Sequence, residues 1–281
     1  MKIKLVFDST IALSQEEAKE YGIAITPFVI NDNGNIYHDH IDIKPVEFYA
    51  LWENNHFIKT SQPNLAETTE LFIELLKEYD HIIYFTLPEQ LSGTFATGKL
   101  VAKDVDESRI TVIDCGTGVG AVRMMAKIGN KMIEEGKSVQ EIVDYLSQTK
   151  HHSRLFVLPL QLEGLRVGGR LNNVTASIFG LVKIKICIYL TLAGFLEKFE
   201  LARTESKIIK CIIDRVNKDI GKDNLKIYLV YSDDVAYLDS ATKMVKEAFP
   251  DAEYEYMNLS PTLGAYTGPQ TIALHFCKKS W

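Results

Sequence analysis

Long apolar runs are missing from this chain. The most apolar stretch, GLVKIKICIYLTLAGFL from Gly180, is broken by Lys183 and Lys185 and is too short and polar to span a bilayer. The opening segment, MKIKLVFDST, has one brief apolar run that stops at Asp8, without the longer apolar core and small-residue cleavage site of a secretory leader. Cysteine is scarce. Cys115, Cys187, Cys211 and Cys277 lie far apart and match neither a zinc spacing nor a CxxC pair. They read as reduced, mostly buried thiols of a cytoplasmic protein. An excess of positive charge is also absent: 31 Lys and Arg stand against 37 Asp and Glu, a net charge of -6. That balance gives no general attraction to nucleic acid or to an anionic membrane surface.

Several motifs of chemistry are lacking too. No Walker sequence is present, so the chain itself is not expected to bind ATP. In GTGVGAVR, Arg123 stands where the dinucleotide fingerprint of Gly118 and Gly120 would need a small residue, so close helix packing is the better reading. Ser92 in QLSGT is not the serine of a GxSxG elbow, and no histidine can be placed beside it. His38 and His40 in YHDHID would share a strand face, but no third and fourth ligand follows at a telling spacing. His151 and His152 are neighbours that point apart and read as surface residues. No metal and no cofactor are therefore expected.

What is present suits a packed core. The 281 residues are 46% apolar and 24% charged, enough for one large domain or two ordinary ones. The first half alternates strand and helix signals. IKLVF ends at DST; Ser14 to Glu17 forms a capping box, and Gly22 closes the helix. IAITPFVI (23–30) reads as a strand and NDNG (31–34) as a hairpin turn. Pro45 opens a helix, TSQPN (60–64) is a loop, and strand 82–87 leads into helix 94–105. RITVID is a strand, the segment after Gly118 is a helix, and SVQE (138–141) is a second capping box. Apolar runs separated by helices predict a mostly parallel sheet covered on both faces.

The second half differs. RLFVLPL (154–160) is a strand and VGGRLNN a glycine-rich turn. The stretch from Lys183 to Arg203 reads as two antiparallel strands joined near Ala193-Gly194. A helix capped by Thr204 and closed by Gly221 follows, then LKIYLVYSD, a helix, AEYEYMNL and TIALHFCK. The expected architecture is two α/β domains, residues 1–153 with a mostly parallel sheet and residues 154–281 with a mixed sheet and helices.

Four clusters of small hydroxyl residues, DST (8–10), TSQP (60–63), LSGT (91–94) and GAYTGP (264–269), are each expected at the carboxyl end of a strand. Ligands of open α/β sheets bind there, and helix amino termini add unpaired amides and a partial positive charge. Ser92 and Thr94 offer hydroxyls, and Gly93 lets a ligand come close to the backbone. The plainer reading is that such residues are helix caps.

These stretches also carry a resemblance. FDST, DIKPVEFY (42–49), KTSQP (59–63), LSGT (91–94), VID (112–114), GGR (168–170), IKI (184–186) and GAYTGP (264–269) resemble the DegV family, the bacterial fatty-acid-binding proteins that serve fatty acid kinase. The combination runs from end to end and is more specific than any one piece. It implies a long-chain fatty acid held between the two domains, its carboxylate on hydroxyls matching Thr60 or Ser61 and Ser92, with Gly93, Thr94 and Thr267 nearby. It also implies a separate kinase subunit that phosphorylates the presented carboxylate for phospholipid synthesis. The binding chain would then be a carrier, not an enzyme. Where the family often has histidine in G-x-H-x-G-P, this chain has Tyr266. A histidine can be cationic, whereas a tyrosine offers a neutral O–H. Either Tyr266 donates directly, or the head group lies differently, or another ligand is preferred.

The tail is expected against apolar residues of the second domain, with Ile178, Phe179, Ile184 and Ile186 as candidates. Among Arg166, Arg170, Lys183, Lys185 and Arg203, Arg170 and Arg203 are singled out as facing a partner or a phosphate. The enzyme alternative is a small-molecule kinase subunit, since the second domain of the family resembles the substrate-binding part of dihydroxyacetone kinase, or a lipid hydrolase using Ser92.

Overall fold

A computed structural model describes residues 1–54, 58–159, 162–171, 184–233 and 236–281. In chain order the elements are β1 (Ile3–Asp8), α1 (Gln15–Glu20), β2 (Ala24–Thr26), β3 (Val29–Asp32), β4 (Asn35–His38), α2 (Pro45–Asn54), β5 (Lys59–Ser61), α3 (Leu65–Leu75), β6 (His81–Thr86), α4 (Thr94–Val105), β7 (Ile110–Asp114), α5 (Val119–Glu134) and α6 (Val139–Ser147). They continue as β8 (Ser153–Leu158), α7 (Glu163–Val167), β9 (Lys185–Leu190), β10 (Leu196–Ala202), α8 (Glu205–Asp219), β11 (Leu225–Tyr231), α9 (Leu238–Ala248), β12 (Glu253–Asn258), α10 (Pro261–Thr267) and β13 (Ile272–Lys278).

Three sheets result. The first, β2-β1-β6-β7, is wholly parallel, as its nearly continuous apolar strands predict. The second runs β10-β9-β8-β13-β11-β12; its pairs are antiparallel except β11 with β12. The third, β4-β3-β5, is a small antiparallel sheet. The α/β class and the parallel-then-mixed order match the sequence reading.

Local signals explain much of this. Both capping boxes are formed: Ser14 with Glu17, and Ser138 with Glu141. Asn33 and Gly34 both take positive φ, at 51° and 97°, which a two-residue hairpin between β3 and β4 requires. Three expectations need correction. TSQPN is not all loop, because Thr60 and Ser61 pair with β3 as part of β5. The stretch 23–30 is not one strand, because Pro27 interrupts it. Its halves join different sheets, β2 beside β1 and β3 between β4 and β5. And GAYTGP does not follow a strand: Gly264 to Thr267 are the last turn of α10, which Ser260 caps and Pro261 opens.

Helix α5 ties the two large sheets together. Val122, Met125 and Ala126 pack into the core beneath the first sheet, while Val119, Ala121 and Met124 pack against the second. Gly120 lies so close to the ring of Tyr228 on β11 that a Cβ would collide with it. This is the close packing expected of the Gly118-Gly120 stretch. The first amides of α5 have no cap from Gly118. Instead the Ala121 amide donates to His275 Nδ1 on β13 at 3.3 Å. Burial drives the pKa of His275 down to about 3, so the ring stays neutral and able to accept.

Candidate functional site

Between the second sheet and the elements facing it lies an apolar slot of about 80 Å³. The sheet contributes Leu155 and Val157 from β8, Ile188 and Leu190 from β9, Leu196 and Ala273. These strand residues are spaced two apart, so they share one face. Leu87, Leu91, Gly118 and Val119 close the slot from the first sheet, and Leu263 and Thr267 from α10. Almost nothing polar faces the interior.

Beside it is a more polar cavity of about 320 Å³, bounded by Lys59, Thr60, Glu163, Arg170 and Tyr266, by Gly164 and Gly168, and also by the apolar Ile58, Val167 and Ala265. Two residues line both spaces, Arg170 and Tyr266. The Tyr266 hydroxyl is hydrogen-bonded to Thr60 Oγ1 at 2.7 Å. The guanidinium carbon of Arg170 lies 5.6 Å from the centre of the Tyr266 ring, within cation–π reach. Arg170 is itself held, donating Nε–H to the Leu91 carbonyl at 3.1 Å and a terminal N–H to the Gly168 carbonyl. Gly164 and Gly168 form a bare strip under Tyr266. A Cβ at Gly168 would lie 2.7 Å from the ring, and one at Gly164 2.6 Å from the Tyr266 carbonyl oxygen.

The loops TSQP and LSGT meet. Gly93 faces the Gln62 side chain, which leaves no room there for a Cβ, and Gln62 Nε2 donates to Thr97 Oγ1 at 2.5 Å. Ser92 and Thr94 are buried and joined to each other, hydroxyl to hydroxyl at 2.8 Å, with the Thr94 amide donating to Ser92 Oγ at 3.3 Å. Their neighbour Leu91 lines the slot, and they stand behind it. Ser61 is exposed at the end of β5.

The other candidates fall elsewhere. Ile178 and Phe179 lie outside the described residues. Ile184 and Ile186 border a separate cavity of about 240 Å³ with Lys185, Glu205 and Tyr237. Arg203 is exposed in the turn before α8, away from both spaces. Arg170 borders both spaces. Sequence reasoning missed Leu155 and Val157 and, within the apolar stretch 177–190 it favoured for the tail, did not single out Ile188 and Leu190; the period-two spacing on β8 and β9 was the available signal.

DST serves as an anchor behind the slot wall. Asp8 caps the short turn Ser9–Ile11. It accepts from the Thr10 amide and hydroxyl at 3.1 and 2.5 Å, and from the Leu87 amide at 2.5 Å. Asp39 accepts from Ser9 Oγ at 2.8 Å, and that hydroxyl accepts from the Phe28 amide at 3.1 Å. Burial raises Asp8 to about 6 and Asp39 to about 7, against the pull of these hydrogen bonds. Burial, and then the charge of Arg123, lower His40 to about 4.

The geometry defines a class: an α/β protein whose sheets enclose an apolar slot beside a larger, more polar cavity. The chain belongs to the DegV family, whose model, described as one of uncharacterised proteins, matches residues 2–279. A DegV domain-containing protein of Staphylococcus aureus strain MRSA252 is 32% identical over 276 residues, covering 98% of both chains. One from Caldanaerobacter subterraneus is 29% identical over 279 residues, 99% of both. Among solved structures, a DegV family protein from Thermus thermophilus, described for its fatty acid binding, superposes with a TM-score of 0.87 at 27% identity, over 99% of this chain and all of that one. DegV of Bacillus subtilis, described as a fatty acid binding protein, shares the fold at a TM-score of 0.87 and 24% identity over 99% of both chains. Among the described residues no helix is long and apolar enough to cross a membrane.

Proposed function

We propose that this chain binds a long-chain fatty acid between two lobes, residues 1–153 and 154–281, and that it does so in the cytoplasm as a carrier without catalysis of its own. The tail lies in the leucine-lined slot. The carboxylate lies at its polar edge, near Thr60, Tyr266 and Arg170, with the Ser92–Thr94 pair behind. The observation that carries this reading is the contact of an apolar slot with a more polar, mixed cavity through two shared residues, one of them cationic. A buried carboxylate needs donors, because an unpaired charge out of water costs several kcal/mol. A tail of about fifteen methylenes contributes a gross gain on the order of 12 kcal/mol, of which association and ordering remove a large part.

The slot is small for such a tail. An engineered cavity of about 150 Å³ in another protein just holds benzene. Binding therefore requires the walls to part. Presentation to a separate kinase subunit rests on the family resemblance, and Arg203 is a candidate contact for it.

The serine-hydrolase reading is disfavoured by one observation. The hydrogen bonds described for the Ser92 hydroxyl go to Thr94, through its hydroxyl and its amide, and neither group is a base. The test is to purify the protein from bacteria, extract it and analyse the extract by mass spectrometry. One equivalent of fatty acid is expected. No lipid in the extract, with no uptake of added fatty acid, refutes the proposal.

A further inference from the structure

We infer that Tyr266 is a latched gate between the polar cavity and the apolar slot, and that its hydroxyl serves the latch rather than the ligand's head group. The inference rests on the proposed lipid-binding reading for its purpose, but its geometry stands without it. Tyr266 and Arg170 are the two residues that border both spaces. Three contacts hold the phenol and a fourth crowds its backbone. Thr60 on β5 holds the hydroxyl at 2.7 Å. Arg170 covers the ring face. Gly168 and Gly164, a turn apart on and just after α7, crowd the ring and the backbone from the other side. Arg170 is in turn pinned to the carbonyls of Leu91 and Gly168.

The gate must be local. The two lobes cannot swing apart at α5, because that helix is packed into both cores, with Gly120 flush on Tyr228 and Arg123 paired to Glu255 at 3.2 Å. A hinge there would expose apolar surface on both sides at once. At Tyr266 itself the contact with α7 is different in kind: Gly164 and Gly168 meet it without side chains of their own, while Leu165 beside them stays in the core. A slot of about 80 Å³ has to widen to take a chain. The least costly opening breaks one neutral hydrogen bond, worth about 0.5–1.5 kcal/mol net, and lifts the ring from the glycine strip.

Tyr266→Phe keeps the ring and its stacking under Arg170 and deletes the latch. Stopped-flow mixing of delipidated protein with the fluorescent fatty acid cis-parinaric acid should give an association rate constant raised about tenfold, the upper end of one hydrogen bond. A head-group role predicts otherwise: an unchanged association rate with faster dissociation, and that result overturns the gate. The second measurement needs no lipid. Ala273→Cys places a thiol in the slot, in a background where the half-buried Cys211 is replaced by Ser. Its labelling by an aromatic disulfide should be about tenfold faster when Tyr266→Phe is added. Equal labelling rates refute the gate even if the wild-type protein proves not to take up fatty acid at all.

Discussion

The Tyr266 hydroxyl lies 2.7 Å from Thr60 Oγ1 across 206 residues of chain, and this bond joins the small β4-β3-β5 sheet to α10. Neither partner reveals the other in sequence, yet both were singled out from separate small-residue clusters. Thr60→Val keeps the shape of the threonine and removes its hydroxyl. The cost is expected to be about 0.5–1.5 kcal/mol, read as a lower urea midpoint at unchanged slope. Fatty acid should also be lost faster during delipidation, since Thr60 borders the polar cavity.

Ala273 offers a test of the slot itself. Its side chain sits on the face of β13 that borders the slot. Ala273→Leu adds three carbons to a space of about 80 Å³ and should abolish co-purification of lipid. The protein should still fold, with a loss of about 1–3 kcal/mol from overpacking. Mass spectrometry of the extract and a thermal melt on the same sample check both halves. Retained lipid in a folded variant shows that the tail lies elsewhere.

Gly120→Ala probes the contact of α5 with the second sheet. The new methyl group meets the Tyr228 ring in a fully packed region. Here the neighbour is a buried aromatic on a central strand, so it cannot give way freely. A loss of about 1–3 kcal/mol is expected, against at most a small gain from helix propensity. A urea melt at or above the wild-type midpoint shows that α5 does not clamp the second sheet.

Some of this could be read from the chain and some could not, for physical reasons. The capping boxes at Ser14 and Ser138, the Asn33-Gly34 turn and the hairpin at Gly194 depend on residues a few positions apart, so sequence displays them directly. The splitting of 23–30 into β2 and β3 depends on pairing with β1 on one side and β4 and β5 on the other. A β-rich local pattern looks the same in either case. Lys59–Ser61 is too short and polar to declare itself a strand; β3 makes it one. The slot is the clearest instance. Its wall draws Leu87, Val119, Leu155 and Leu263 from four distant segments, each of which reads alone as ordinary core. The hydroxyl clusters were visible as candidates, but which of them borders a cavity is a tertiary matter.

The buried carboxylate of Asp39 should make stability depend on pH. Its folded pKa, about 7, lies above the ordinary 3.8 because burial disfavours the charged form. A raised carboxylate pKa contributes stability that is fully present below the ordinary value and lost as pH rises through the folded one. Asp8, raised to about 6, acts in the same sense, while His40, lowered to about 4, acts in the opposite sense below pH 6.5. Asp39→Asn removes one contribution and leaves the others. The stability of Asp39→Asn relative to wild type should therefore climb between pH 5 and pH 8, by on the order of a few kcal/mol at most. Urea midpoints of both proteins at the two pH values measure it. A difference that is flat with pH would mean that Asp39 is not buried as a near-neutral acid.

Trp281, beyond β13, reaches back to α6 and His152. Its ring stacks on Tyr145 of α6 and on His152, with centroids 5.0 Å away in each case. Its indole N–H donates to the Tyr145 carbonyl at 3.3 Å. Each aromatic pair contributes about 0.5–1.5 kcal/mol beyond area, and the hydrogen bond about as much. The ring is half-buried, so the sum is discounted, and Trp281→Ala should cost about 1–3 kcal/mol. Because the contact joins the last strand of the second sheet to a helix of the first, the loss should appear as a lower midpoint of the single unfolding transition. It should also appear as faster amide exchange in both α6 and β13. Faster exchange in β13 alone, with the midpoint unmoved, would mark the stack as a surface contact that does not tie β13 to α6.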